Sequence, residues 1–140
     1  MYKNILLPTD GSALSETAIR SGIQLAKSLG AKVTGLYVIV ESQVAAGIGK
    51  SMRDDHAQVD TAKAYLDLIN REAAQHGVAH ESFYVTGSSP YEEIIRAAGS
   101  KGCDLIFMAS HGRRGISGML LGSETLHVLT HCKIPVLVYR

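Results

Sequence analysis

Met108-Ala109-Ser110-His111-Gly112-Arg113-Arg114-Gly115 continues through Ile116-Ser117-Gly118-Met119-Leu120-Leu121 to Gly122-Ser123-Glu124, and its reading decides the fold. It follows the apolar run Leu105-Ile106-Phe107 and reads as a strand end, a glycine-rich loop and a helix start. Gly112 lets the backbone turn away from that run. Gly115, Gly118 and Gly122 keep the loop open to conformations and close approaches that a Cβ forbids. Ser123 is the expected N-cap of the helix that follows. Unpaired N–H groups at a helix N-terminus, with its partial positive charge, make a site for an anion. Arg113 and Arg114 add two cations beside it. The segment suits phosphate, although the same glycines also serve a loop that holds no ligand.

Outward from this stretch, strand-like and helix-like patterns alternate, the signature of βα units around a parallel sheet. Ile5-Leu6-Leu7 is a short continuous apolar run that suits a strand covered on both faces. Leu14, Ala18, Gly22, Leu25, Ala26 and Leu29 recur at helical spacing, with Glu16 in the first turn and Gly30 as a stop. Residues 33–40 are the second strand, and 42–51, with two glycines and no period, read as a mobile connection. Val59, Ala62, Leu66, Ile69 and Ala73 step alternately by three and four, giving one long helix closed by Gly77. Residues 81–86 are a third strand, with Gly87-Ser88 as a loop. Ser89-Pro90-Tyr91-Glu92 is a capping box with proline at the first helical position, and its helix carries Ile94, Ile95 and Ala98 and ends near Gly102. Residues 104–109 are the fourth strand. Leu126 and Leu129 mark the inner face of a last helix that ends before Pro135 and the fifth strand. The expectation is an α/β chain of five strands and four helices, one domain over 1–140.

The familiar phosphate motifs do not fit. A Walker loop needs a lysine after its last glycine, and Gly118-Met119-Leu120-Leu121-Gly122-Ser123 has none. Gly112, Gly115 and Gly118 are each three apart, so the dinucleotide fingerprint is absent too. The segment resembles instead the nucleotide loop of the universal stress protein family, G-x2-G-x9-G-[ST]. Here that pattern stands as Ala109-x2-Gly112-x9-Gly122-Ser123, with alanine in place of the first glycine. The opening Met1-Tyr2-Lys3-Asn4-Ile5-Leu6-Leu7-Pro8-Thr9-Asp10-Gly11-Ser12 resembles the family's first strand and its acidic end. The close Ile134-Pro135-Val136-Leu137-Val138-Tyr139-Arg140 resembles its last strand. The similarity covers nearly the whole chain.

That resemblance implies a Rossmann-like open parallel sheet in the order 3-2-1-4-5, with helices on both faces. Ligands of such sheets bind at the carboxyl ends of the strands where the order reverses, which brings Asp10 opposite Ala109 and Gly112. By the same resemblance the ligand is ATP, or AMP or ADP, with Mg or Mn. Pro8, Thr9, Val38 and Met108 wall the adenine pocket, and Asp10 contacts the sugar or a phosphate-bound metal. Gly112, Arg113, Gly122 and Ser123 hold phosphate. Asp10 also reads as a helix cap, and both roles fit if its two oxygens divide them. Glu124 places an anion near the phosphate position. It leaves the site intact if its side chain points to solvent and competes if it folds over the helix end.

At 140 residues with 46% hydrophobic content, the chain is long enough for a real core. A net charge of +1 without a basic stripe argues against nucleic acid and anionic membranes as partners. No apolar run reaches membrane-span length, and Pro8 and Asp10 come too soon for a signal peptide. Cys103 and Cys132 form no CxxC, which suits reduced thiols in a cytoplasmic protein. His127 and His131, four apart, read as a solvated helix face rather than a zinc site, and His111 as a residue that shapes the turn. No residue stands out as a water-positioning base, so the expectation is a nucleotide binder with at most slow hydrolysis. The strand at 136–139 is an apolar edge that a second copy would cover, giving a homodimer, with a further protein partner of unknown identity. The competing reading is a dimeric protein-interaction module of the same fold that binds no nucleotide. An adenylating enzyme is ranked last because Asp10-Gly11-Ser12 is too short to replace an S-G-G-x-D-S-like loop.

Overall fold

The computed structural model describes residues 1–41, 52–113, 115 and 120–140. The connection read at 42–51, and Arg114 and Gly118 of the glycine loop, lie outside the described residues. Along the chain, β1 (Asn4–Thr9), α1 (Ala13–Leu29), β2 (Lys32–Val40), α2 (Met52–Gln75) and β3 (His80–Gly87) are followed by α3 (Pro90–Ser100), β4 (Leu105–Ala109), α4 (Ser123–His131) and β5 (Val136–Tyr139). The strands form one parallel sheet in the order β3-β2-β1-β4-β5. The expected order and fold class are both found.

Alternation along the central strands sends side chains into two cores. Ile5, Leu7, Val33 and Phe107 pack with Ile19 and Ile23 of α1 and with Leu66 and Ile69 of α2. Leu6, Leu36, Ile106 and Met108 pack with Ile94 and Ala98 of α3 and Val128 of α4. Helices thus cover both faces, as parallel sheets require. The helix stops read from sequence hold: Gly30, Gly77 and Gly102 all have φ between 66° and 69°, in the left-handed region that glycine tolerates best.

The starts of α3 and α4 differ from expectation. Ser89 is the N-cap of α3 and Pro90 opens the helix, but the Ser89 side chain makes no capping hydrogen bond. The Tyr91 N–H instead donates to the Glu124 carboxylate at 2.8 Å. Gly122, not Ser123, caps α4: the Leu126 N–H bonds the Gly122 carbonyl, so Ser123 is already the first helical residue. The inner face of α4 is Thr125 and Val128, while Leu126 is 51% and Leu129 39% exposed. The helix is short, and Thr125 turns inward because its hydroxyl donates to the Ala109 carbonyl at 2.9 Å. One tertiary hydrogen bond thereby sets the rotation that the leucines suggested wrongly.

Candidate functional site

β1 and β4 are neighbours, so the β1–α1 turn and the β4–α4 loop meet at the carboxyl ends of the strands. Asp10 sits between them. Its Oδ1 accepts the Ser12 N–H at 2.9 Å, and its Oδ2 accepts the Arg113 N–H at 2.9 Å. Ser12, not Asp10, caps α1, its hydroxyl oxygen accepting the Ser15 N–H. Asp10 therefore shapes the turn before the helix with one oxygen and fastens the glycine loop with the other. A Cβ on Gly112 would stand 2.1 Å from Asp10 Oδ2, so this carboxylate reaches the loop only because residue 112 has no side chain.

The loop closes on itself just beyond. The Gly122 N–H donates to the Ser110 carbonyl at 2.7 Å, and the Gly115 N–H to the Gly112 carbonyl at 3.0 Å. A Cβ on Gly122 would lie 3.1 Å from His111 Cα, and one on Gly115 would lie 2.5 Å from the His111 ring. Gly112, Gly115 and Gly122 are not among the glycines of positive φ. They serve close approach rather than unusual dihedrals. Gly115 and Gly122 close around His111, in keeping with its expected role in the turn.

Gly122, the N-cap of α4, has no side chain with which to cap it, and the first-turn N–H groups, from Ser123 onward, stand at the positive end of the helix dipole. Glu124 takes neither of the two placements considered for it. Its carboxylate leaves its own helix end for the amide of Tyr91 in α3, which removes an anion from the α4 terminus. Ser123 is exposed.

The other residues singled out divide by face. Pro8 and Val38 are half-buried and Met108 buried, and alternation puts all three on the α3/α4 side of the sheet. Thr9 points the other way and is buried, its hydroxyl oxygen accepting from the Ser15 hydroxyl and from the Gly11 N–H. Ala109 ends β4, half-buried. A cavity of about 350 Å³ opens beside Val38 at the carboxyl end of β2, between Tyr37, Val40, Gln58 and Thr61. It adjoins the crevice through Tyr37. Burial first, and then the neighbouring Tyr65, push the Tyr37 phenol above its ordinary range, with Arg113 opposing.

Two residues of this site, Tyr37 and Tyr65, escaped the sequence reading. Tyr65, on the flank of α2, lies over Gly11 and has its ring centroid 5.4 Å from that of Tyr37. It also accepts a hydrogen bond from the Arg113 guanidinium. Nothing in the helical period marks a flank residue as a site residue. His127 and His131 are exposed as read, but their rings pack on Tyr91 at 4.7 and 5.3 Å. Among the described residues no three His, Cys, Asp or Glu side chains cluster as a metal site would.

A family model described as the universal stress protein family matches residues 1–140. The chain belongs to the universal stress protein family. The universal stress protein MJ0577 of Methanocaldococcus jannaschii is 33% identical, the match covering 100% of this chain and 96% of that protein. The universal stress protein YxiE of Bacillus subtilis is 31% identical, with 100% of both chains covered. A solved structure of MJ0577 superposes with a TM-score of 0.88 at 32% identity, covering 99% of this chain and 96% of that one. A universal stress protein solved in complex with cAMP superposes with a TM-score of 0.75 at 25% identity, covering 99% and 97%.

Proposed function

We propose that this universal stress protein domain, residues 1–140, binds an adenine nucleotide at the carboxyl ends of β1, β2 and β4. The ligand is ATP, or AMP or ADP, and its occupancy alters a surface read by a partner protein. The observation that carries this is the juncture of Asp10 with Gly112 and Arg113, where two distant segments meet beside an α4 N-terminus without a side-chain cap. The related protein solved with cAMP supports an adenine ligand. In this reading the first-turn amides of α4 and the Ser123 hydroxyl hold phosphate, with Gly112 and Gly122 giving the backbone its approach. The base lies toward Pro8, Val38 and Met108, and Ala109 borders the sugar.

A divalent ion, Mg or Mn, fits this site. Asp10 is the carboxylate at the crevice, and each of its oxygens keeps accepting capacity beyond its one backbone N–H. Mg²⁺ bound through one carboxylate, phosphate oxygens and waters matches that donor set. When bound, the ion would neutralise phosphate charge. Arg113 supplies a further cation, and no described side chain is placed as a general base, so hydrolysis is slow at most.

The chain works as a homodimer through β5, whose Leu137 is 38% exposed at the sheet edge. Its setting is the cytoplasm, in keeping with two free cysteines. No helix among the described residues is long and apolar enough to cross a membrane.

The test is calorimetry of nucleotide-stripped protein with ATP and magnesium, repeated on Gly122→Val, whose side chain collides with the His111 backbone. Micromolar binding lost in a variant that still melts cooperatively supports the assignment. Absence of heat with every adenine nucleotide favours the interaction module instead.

A further inference from the structure

Arg113 opens the glycine loop, and its side chain folds back across the crevice. Nε donates to the Asp10 carbonyl at 3.0 Å, and Nη2 donates to the Gly11 carbonyl at 3.1 Å and to the Tyr65 hydroxyl. The guanidinium carbon lies 5.4 Å from the Tyr65 ring centroid. Tyr65 comes from α2, and it approaches this closely because Gly11 has no side chain: a Cβ there, at φ 78°, would stand 2.2 Å from the ring. One side chain thereby joins the start of the loop, the β1–α1 turn and the middle of α2.

The acceptors of that guanidinium are two backbone carbonyls and a phenol, all neutral. Among the described residues no carboxylate pairs with it. A guanidinium bonds more strongly to phosphate oxygens, two at a time, than to neutral acceptors. The Arg113 backbone is fixed on Asp10 Oδ2, so the side chain turns about a pivot already inside the crevice.

Building on the nucleotide reading above, we infer that Arg113 is a phosphate-operated catch. Without an anion it fastens α2 to the crevice through Tyr65. A bound phosphate draws the guanidinium away, and Tyr65 with its part of α2 is released. The surface that reports occupancy is then α2 around residue 65, and Tyr65 acts as a positioning residue that competes with the ligand for Arg113.

Tyr65→Phe keeps the ring over Gly11 and removes only the hydroxyl. Calorimetry compares it with the wild type against ATP with magnesium and against adenosine, which lacks phosphate. The expected result is ATP binding about five- to tenfold tighter in the variant, with adenosine binding unchanged. Amide exchange near residue 65 rises on ATP addition in the wild type and is already high in the variant. Equal ATP affinities for the two proteins, or equal shifts for ATP and adenosine, overturn the catch and leave the nucleotide site standing. If neither protein binds ATP or adenosine, the nucleotide reading fails and the catch fails with it.

Discussion

Replacing Glu124 by alanine removes a carboxylate of α4 from the start of α3. Its Oε2 accepts the Tyr91 N–H at 2.8 Å in the first turn of α3, where Ser89 makes no side-chain cap. A missing cap of this kind costs about 0.5–2 kcal/mol, and the carboxylate also favours the positive end of the α3 dipole by about 0.3–1 kcal/mol. Glu124 is half-buried, so solvent screens it only in part, and a combined loss of about 1–2 kcal/mol follows. In a chain of this size that lowers the melting temperature by about 3–8 °C. Glu124→Gln keeps an oxygen that can accept from Tyr91 and should lose about half as much. Calorimetric melting of the three proteins gives the stability, and titration with ATP and magnesium gives the affinity. Since the carboxylate is turned toward α3, ATP affinity should change by no more than about twofold in either variant. An unchanged melting temperature would refute the α3 cap. ATP binding strengthened by about tenfold in Glu124→Ala would place the carboxylate over the α4 terminus instead.

Gly112→Ala puts a methyl group 2.1 Å from Asp10 Oδ2 and should destabilise the fold by about 1–3 kcal/mol, read as a lower urea midpoint, with ATP binding lost. Asp104 accepts from the Lys3 and Asn4 N–H groups. Burial by itself would raise its pKa, but these two backbone donors, with its own amide and the N-terminal charge, together outweigh it and hold the carboxyl below its ordinary value. A depressed folded pKa means stability present above the unfolded value of about 3.9 and lost as pH falls through the folded one. Urea midpoints below about pH 4 should therefore fall less steeply in Asp104→Asn than in the wild type, and parallel profiles would contradict the clamp. Val128→Ala should cost about 1–3 kcal/mol, whereas Leu126→Ala at low protein concentration should change stability by less than about 0.5 kcal/mol. The opposite ranking in urea melts would restore the leucines to the inner face.

The sheet was legible because its signals are local. In α2, of the positions read as periodic, Ala62, Leu66, Ile69 and Ala73 are buried and Val59 is half-buried, and a helix of that length averages out any single exception. The left-handed stops are legible for the same reason, since each is decided by one glycine. What sequence did not give are bonds between distant segments. Glu124 meets Tyr91 across 33 positions, and Arg113 meets Tyr65 across 48, and no period encodes either pair. The capping box at Ser89 failed this way: Glu124 outcompeted the local partner for the α3 amides. The glycine loop was located correctly and partly misread in mechanism, because a glycine required for dihedral freedom and one required for proximity look alike in a sequence.

Ser110 and Gly122 are tied directly, amide to carbonyl, and Thr125 ties α4 back to Ala109. Ser110 and Gly122 therefore hold the two ends of the intervening segment at a single point, like the roots of a handle on a cup. Lengthening such a handle alters only the entropy of closing it, about 0.6 kcal/mol for each doubling. A peptide tag or a fluorescent reporter inserted between residues 116 and 119 would leave strand β4 and helix α4 in register.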